Sequence, residues 1–336
     1  MTDASPDVTF VIAAYNSADT IVRAVESALG QEGVTLEVIV IDDCSSDDTT
    51  ATVLAMADPR IRLIALETNR GPGGARNAGL SQARGRWIAV LDADDTIKPD
   101  RLARMLTRAE MVGAQIVVDN LDVVSGDGRC HRMFEERRLA DQPILGLPAF
   151  IESNILFRSG HNFGYMKPVF ERVFLEAHDL SFDESLRIGE DYLLLASALA
   201  VGGICAIEPV AGYIYHIREG SISRVLKQHH VEAMLASDKT FLETYRLDGP
   251  AMAAQRRRTR SLKTASAFVA LIDLLKQRSL VGALGVAVAR PSALWHLRMP
   301  IAVRLQRMVA SLLGTNRSAK AAPSSPSGKS PSTRKG

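Results

Sequence analysis

The stretch Trp87-Ile88-Ala89-Val90-Leu91-Asp92-Ala93-Asp94-Asp95 runs from five apolar residues straight into three acids. A short, continuous apolar run of this kind reads as a strand buried on both faces. Carboxylates clustered at its carboxyl end repel one another, so such an edge normally needs a cation. Hard oxygen ligands suit Mg²⁺ or Mn²⁺, and those ions in turn bind a diphosphate. Asp is also common in loops and helix caps. Three acids directly after a buried strand are much more specific than that preference.

Outward from this stretch, Val8–Ala14, Leu36–Ile41, Ile61–Leu66 and Ile116–Val118 are further short, β-branched runs. Between them Ile21, Val22, Val25, Ala28 and Leu29 fall at helical spacing, as do Val53, Leu54 and Ala57. Pro99 at a helix start, followed by Leu102, Met105 and Leu106, predicts another helix. Strands alternating with helices imply an α/β domain with a mainly parallel central sheet. Ligands in such sheets sit beyond the carboxyl ends of the strands. The residues to weigh are therefore Tyr15-Asn16, Asp42-Asp43 and Asp92-Ala93-Asp94-Asp95. For Asp42 and Asp43 alone, ordinary helix capping is an equally good account.

Composition narrows the classes. The 336 residues, 46% hydrophobic and 23% charged, are ordinary for a globular protein. Three widely spaced cysteines, Cys44, Cys130 and Cys205, argue against a disulfide framework or a zinc site and fit a reducing cytoplasm. No signal peptide is read in Met1 to Asp7, and the nearest apolar run, Ser279 to Ala289, is eleven residues, short of a span. After residue 250 there are 16 Lys/Arg and one acid, Asp273, leaving 24 basic and 37 acidic side chains before it. An acidic body with a basic C-terminal quarter points to two different partners.

A dinucleotide-binding dehydrogenase is excluded by its own motif. Ala13 to Asp19 contains no glycine, and Gly71-Pro72-Gly73-Gly74-Ala75-Arg76 follows the third strand, with Arg in place of the last small residue. Residues 228–312 read as largely helical, and the Ser/Pro/Lys-rich chain from 314 to 336 as disordered. His229-His230 reads as surface.

Four ordered motifs resemble the family 2 glycosyltransferases, which have the GT-A fold. They are Val11-Ile12-Ala13-Ala14-Tyr15-Asn16, Val40 through Asp47, Asn69 through Gly79, and Leu91 through Asp95. Downstream, Met166-Lys167-Pro168-Val169-Phe170 and Gly189-Glu190-Asp191-Tyr192 resemble the acceptor side of that family. The resemblance spans roughly 8–225, and its N-terminal wording is similar to bacterial succinoglycan glucosyltransferases. It implies a catalytic domain over 1–225, with a nucleotide half (8–125) and an acceptor half (126–225). A basic helical region (226–313) and the tail follow.

The resemblance also assigns roles. Asp43 matches the acid that hydrogen-bonds the donor's uracil, and Tyr15 the residue that stacks on it. Arg76 would steady the diphosphate or the acidic loop. Asp92, Asp94 and Asp95 match the metal motif, with Asp92 or Asp94 nearer the ribose and Asp94 or Asp95 on the metal, a split the sequence leaves open. Asp191 matches the general base, with Glu190 beside it; acids at a helix N-terminus are the structural alternative. Where the family often has Tyr-Arg-x-His-x-x-Ser, this chain reads Tyr215-His216-Ile217-Arg218-Glu219-Gly220-Ser221, its basic residues exchanged.

The expectation is transfer of a hexose, glucose from UDP-glucose, with inversion, to a lipid-linked oligosaccharide in succinoglycan-like exopolysaccharide synthesis. The cofactor is Mg²⁺ or Mn²⁺. The alternative is a nucleotidyltransferase acting on sugar phosphates, which would be expected to carry a Gly-rich loop after the first strand. A nucleic-acid-binding role leaves the acid cluster unexplained. The protein is expected in the cytoplasm, touching the inner face of the membrane. Arg256, Arg257, Arg258 and Arg260 would face anionic lipid there, with Phe268, Leu271, Ile272 and Leu275, or the segment around Trp295, dipping into the interface.

Overall fold

The computed structural model describes residues 5–157, 162–217 and 226–295. The first half places β1 (Val8–Ala14), β2 (Leu36–Asp42), β3 (Ile61–Ala65), β4 (Trp87–Val90) and the two-residue β5 (Thr96–Ile97). Between them lie α1 (Ile21–Leu29), α2 (Thr49–Ala55) and α3 (Gly71–Leu80), and α4 (Arg101–Val112) follows. The next stretch adds β6 (Ile116–Val124), β7 (Cys130–Arg132), β8 (Val169–Glu171) and β9 (Cys205–His216). It also holds α5 (Glu136–Ala140), α6 (Leu147–Ser153), α7 (Arg172–Ala177) and α8 (Glu190–Ala200). Four helices end the described chain: α9 (Gln228–Thr244), α10 (Gly249–Lys276), α11 (Leu280–Ala289) and α12 (Ser292–Trp295).

One sheet runs through the molecule in the order β3-β2-β1-β4-β8-β6-β9-β5, with β7 on β6. The α/β class expected above is what forms. Strands β1 to β4 pair in parallel, and every residue of β1, β2 and β4 but Ala13 is buried. That burial is why these strands read as continuous apolar runs. Beyond β4 the sheet is mixed, because β8 runs antiparallel to both β4 and β6. From β1 the chain passes to β2 on one side and β4 on the other. Such a switch leaves a crevice at the strands' carboxyl ends, into which Tyr15, Asp43 and Asp92 project from successive loops. Gly79 lets α3 lie close over it: a Cβ there would meet Ile41 Cδ1 at 2.6 Å and Val11 Cγ1 at 2.7 Å.

β6 extends six residues past the Ile116–Val118 expected for it. Asp119, Asn120 and Asp122 break the apolar pattern, yet each is buried and paired. Asp119 binds Arg101, Asn120 donates to the Phe134 and Pro209 carbonyls, and Asp122 binds Lys98 and Arg132. Satisfied polar groups are tolerated inside a strand.

The C-terminal helices correct three expectations. α9 and α10 pack on each other and α10 on α6, and Leu186 joins Val231, Met234, Leu262 and Ala265 in a second small core. Arg258 is therefore not a free surface base: it is 5% exposed, its guanidinium stacks 3.7 Å from the Tyr192 ring, and it faces Asp238 at 3.5 Å. Arg257 pairs with Glu152. Leu271 is buried and Phe268 stands edge-on to Phe157, so part of that face packs on protein, while Leu275 stays exposed. His230, expected at the surface, is buried in the first turn of α9. The tail from 314, and Arg218, lie outside the described residues.

Candidate active site

The catalytic end of the crevice collects side chains from four segments. α3 begins at the glycine run, with Gly71 at φ +78°, and presents Arg76 inward. Asp92, Asp94 and Asp95 follow β4, Lys167 precedes β8, and Glu190 and Asp191 open α8. The helix N-cap, Gly189, sits at φ +94°, a backbone that a side chain would strain. Acids in the first turn also favour the positive end of the helix dipole.

Two cations and three carboxylates form the centre. Arg76, 5% exposed, donates to Asp92 at 2.7 Å, Glu190 at 2.7 Å and Asp191 at 2.9 Å. Lys167 Nζ reaches the other oxygen of Asp191 at 2.6 Å and of Asp92 at 2.8 Å. Burial works to raise the Asp92 carboxyl, but Lys167 and Arg76 outweigh it and bring it down to about 2. Glu190 moves the other way, raised by burial and by neighbouring Asp191. Burial disfavours both cations, yet the carboxylates hold Arg76 and Lys167 firmly protonated. With all five ionised the group carries one net negative charge.

Lys167 is the member of this group to which the motif reading assigned no role. Its ion partners lie 24 and 75 residues away in sequence, so only the fold brings them together. A second buried pair holds it in place: Arg101 and Asp119, 0% and 1% exposed, meet at 2.8 Å, and Arg101 also donates to the Lys167 carbonyl at 2.9 Å.

The three acids after β4 divide their work. Asp95 is 0% exposed; one oxygen accepts from Tyr213 Oη and the other from the His216 backbone N–H, both at 2.8 Å. Burial, with Asp92 and Asp94 nearby, pushes its carboxyl well above the usual range. Asp92 belongs to the ion-pair centre. Asp94 is half-buried, and its carbonyl accepts from Arg23 at 2.7 Å. Among the described residues no three His, Cys, Asp or Glu side chains converge as a metal cage. A half-buried carboxylate directly after a strand fits an ion that takes its other ligands from substrate phosphates and water, the habit of Mg²⁺. His216, from the exchanged pattern, contacts Thr96 Oγ1 through Nε2 at 3.1 Å.

On the nucleotide side, Asp43 is buried, and its two oxygens accept the Arg70 and Gly71 backbone N–H groups at 2.7 and 2.8 Å. Burial raises this carboxyl despite those donors. Tyr15 is 51% exposed, with its ring presented to solvent at the rim. Asp42 is turned to Ser45 and Thr50 instead.

The glycosyl transferase family 2 domain matches residues 9–174. Succinoglycan biosynthesis protein ExoO of Rhizobium meliloti is 68% identical over 92% of this chain and 88% of its own length. The chain belongs to glycosyl transferase family 2. A more distant relative, the Escherichia coli UDP-Glc:alpha-D-GlcNAc-diphosphoundecaprenol beta-1,3-glucosyltransferase WfgD, is 28% identical over 64% of this chain and 79% of that protein. Among solved structures, a mannosyltransferase from Pyrobaculum calidifontis in complex with GDP-Man and Mn²⁺ superposes with a TM-score of 0.57 at 19% identity. The match covers 90% of this chain and 81% of that one. The fold is GT-A.

Proposed function

We propose that this glycosyltransferase moves glucose from UDP-glucose, with inversion, onto a lipid-linked oligosaccharide during exopolysaccharide assembly of the succinoglycan type. The observation that carries the reaction type is the paired centre at the mouth of the crevice. There Asp191 stands beside the acids that follow β4, held by Arg76 and Lys167. The donor and acceptor follow the two relatives, whose names specify succinoglycan, UDP-Glc and a diphosphoundecaprenol carrier.

Each residue then has a task. Tyr15 stacks on the uracil, since an aromatic face with an exposed ring suits a base. The Asp43 oxygens keep lone pairs beyond those used by Arg70 and Gly71, and one accepts the imide N–H. Asp94 would hold Mg²⁺ or Mn²⁺ at the diphosphate, and Asp95, fully buried, holds the loop through Tyr213 and His216. Bound there, the ion supplies Lewis-acid neutralisation of the departing UDP. Asp92, aimed by Arg76 and Lys167, lies nearest the ribose and sugar. Asp191 accepts the proton of the attacking hydroxyl, whose own pKa is far above neutral. Its side chain is 18% exposed, so one lone pair remains within reach of an acceptor from solution. A single displacement converts an α-linked donor into a β-glycoside. The acceptor's lipid confines the reaction to the inner membrane face.

The test is nucleotide release from a panel of UDP- and GDP-sugars with a lipid-extract acceptor, and the anomeric configuration of the product. UDP release from UDP-glucose with a β-linked product is expected. Pyrophosphate release from UTP and a sugar phosphate would instead mark a nucleotidyltransferase.

A further inference from the structure

On α10, Arg258 and Leu271 of the expected lipid-facing set are buried, while Arg256, Arg257 and Arg260 are exposed. The exposed apolar surface lies on the next helix. Along α11, Leu280 is 72% exposed, Val281 86%, Leu284 66% and Val288 73%. At 100° per residue these four fall within about 100° of arc, one continuous stripe. The opposite side of the helix is the one that packs: Ala283 is 5% exposed, and Val286 and Ala289 line a groove against Lys263, Ser266 and Ala270 of α10.

The surroundings of the stripe are basic. Lys276 and Arg278 precede it and Arg290 follows it, all three exposed. Between residues 249 and 295 the one acid is Asp273, which pairs with Lys276. An apolar stripe bordered by bases suits a surface that is oily below and anionic above, which is a bilayer interface rather than a neutral protein groove. Ten residues of helix reach only about 15 Å, half the hydrocarbon thickness, and no described helix is long and apolar enough to cross a membrane. We infer that α11 docks the enzyme on anionic lipid, lying in the interface plane with Leu280, Val281, Leu284 and Val288 buried among acyl chains and Lys276, Arg278 and Arg290 at the headgroups.

This inference rests on the reading of a membrane-confined acceptor, but its test does not use that acceptor. The full chain is floated with vesicles of phosphatidylcholine alone, or with about a third phosphatidylglycerol, in the absence of any glycolipid. Wild type is expected to float with the anionic vesicles only and to be released by salt. The double variant Leu284→Asp, Val288→Asp changes two solvent-exposed positions outside the catalytic centre. It is expected to lose vesicle binding at least about ten-fold, since burying one Leu or Val side chain alone stabilises by that factor. Its circular dichroism and its release of UDP in detergent solution should match wild type. Equal flotation of variant and wild type would overturn the inference and place lipid contact elsewhere. So would binding to neutral vesicles, or a variant that leaves flotation unchanged while shifting a dimer to monomer. Flotation as expected, with no transfer from any nucleotide sugar, would reject the proposed reaction and leave the lipid surface standing.

Discussion

Replacing Arg76 by Met removes one charge from the most crowded electrostatic site in the molecule while keeping an apolar stem of similar reach. The guanidinium is 6% exposed and bridges Asp92, Glu190 and Asp191. Without it, three carboxylates share Lys167 alone, and the net charge of the group moves from minus one to minus two. Breaking a buried ion pair by removing one partner costs about 3–5 kcal/mol, a large part of the roughly 5–15 kcal/mol that holds a domain folded. The loss has a pH signature. Asp92, lowered from 3.8 to about 2, contributes about 2 kcal/mol of stability. That contribution is fully present above its unfolded value and lost as pH falls through its folded one. Losing Arg76 raises the folded value and erases part of it. Glu190 has the opposite sign: raised by burial and by Asp191, it weakens folding as pH rises through the ordinary carboxylate range, and more so once Arg76 is gone. Both effects make the deficit of Arg76→Met largest near pH 7 and smaller near pH 4. Urea unfolding at pH 7, 5 and 4 measures it, with Arg76→Lys as the variant that keeps the charge but not the fork of donors. A loss below about 1 kcal/mol at pH 7, the value of an exposed pair, would refute the reasoning, as would a deficit that does not change with pH.

Three further outcomes are expected. Asp191→Asn should lower turnover by about 10²–10⁴-fold while calorimetric binding of the nucleotide sugar stays near wild type; retention of more than about a third of turnover would assign the base elsewhere. Chelation with EDTA should abolish transfer, Mn²⁺ or Mg²⁺ should restore it, and Asp94→Asn should raise the ion concentration needed for half-activity, whereas activity in excess chelator would remove the metal from the reaction. Arg258→Met should cost about 2 kcal/mol or more, the value of a desolvated cation–π contact, and lower turnover with little change in donor KM, because its partner Tyr192 adjoins Asp191; an unchanged turnover would show that α10 does not position α8.

The first half of the fold was legible because its physics is local. β1, β2 and β4 are buried on both faces, so each appears in the sequence as an apolar run ending in the loop that carries Tyr15, Asp43 or Asp92. The motif after β4 and the acids opening α8 were visible for the same reason: each is contiguous. The length of β6 was hidden, since Asp119, Asn120 and Asp122 look polar until Arg101, the Phe134 carbonyl and Lys98 are set against them. Lys167 gave no local sign of its role, for a lysine shows its ion partners only when strands far apart in sequence meet.

The different surroundings of Asp92, Asp94 and Asp95 likewise come from tertiary structure alone. Three acids within four residues look alike in sequence, but Tyr213 and the His216 backbone on β9 bind Asp95, and Arg76 and Lys167 bind Asp92. The C-terminal bases show the same limit. Composition established that the region is basic and helical, the property of a residue count and a period. Which arginines face solvent depends on what each helix packs against. Tyr192 and Asp238 took Arg258 inward, Phe157 met Phe268, and the exposed apolar stripe fell to α11. Sequence patterns report a residue's preference for burial; the surface it finds is set by elements folded from elsewhere in the chain.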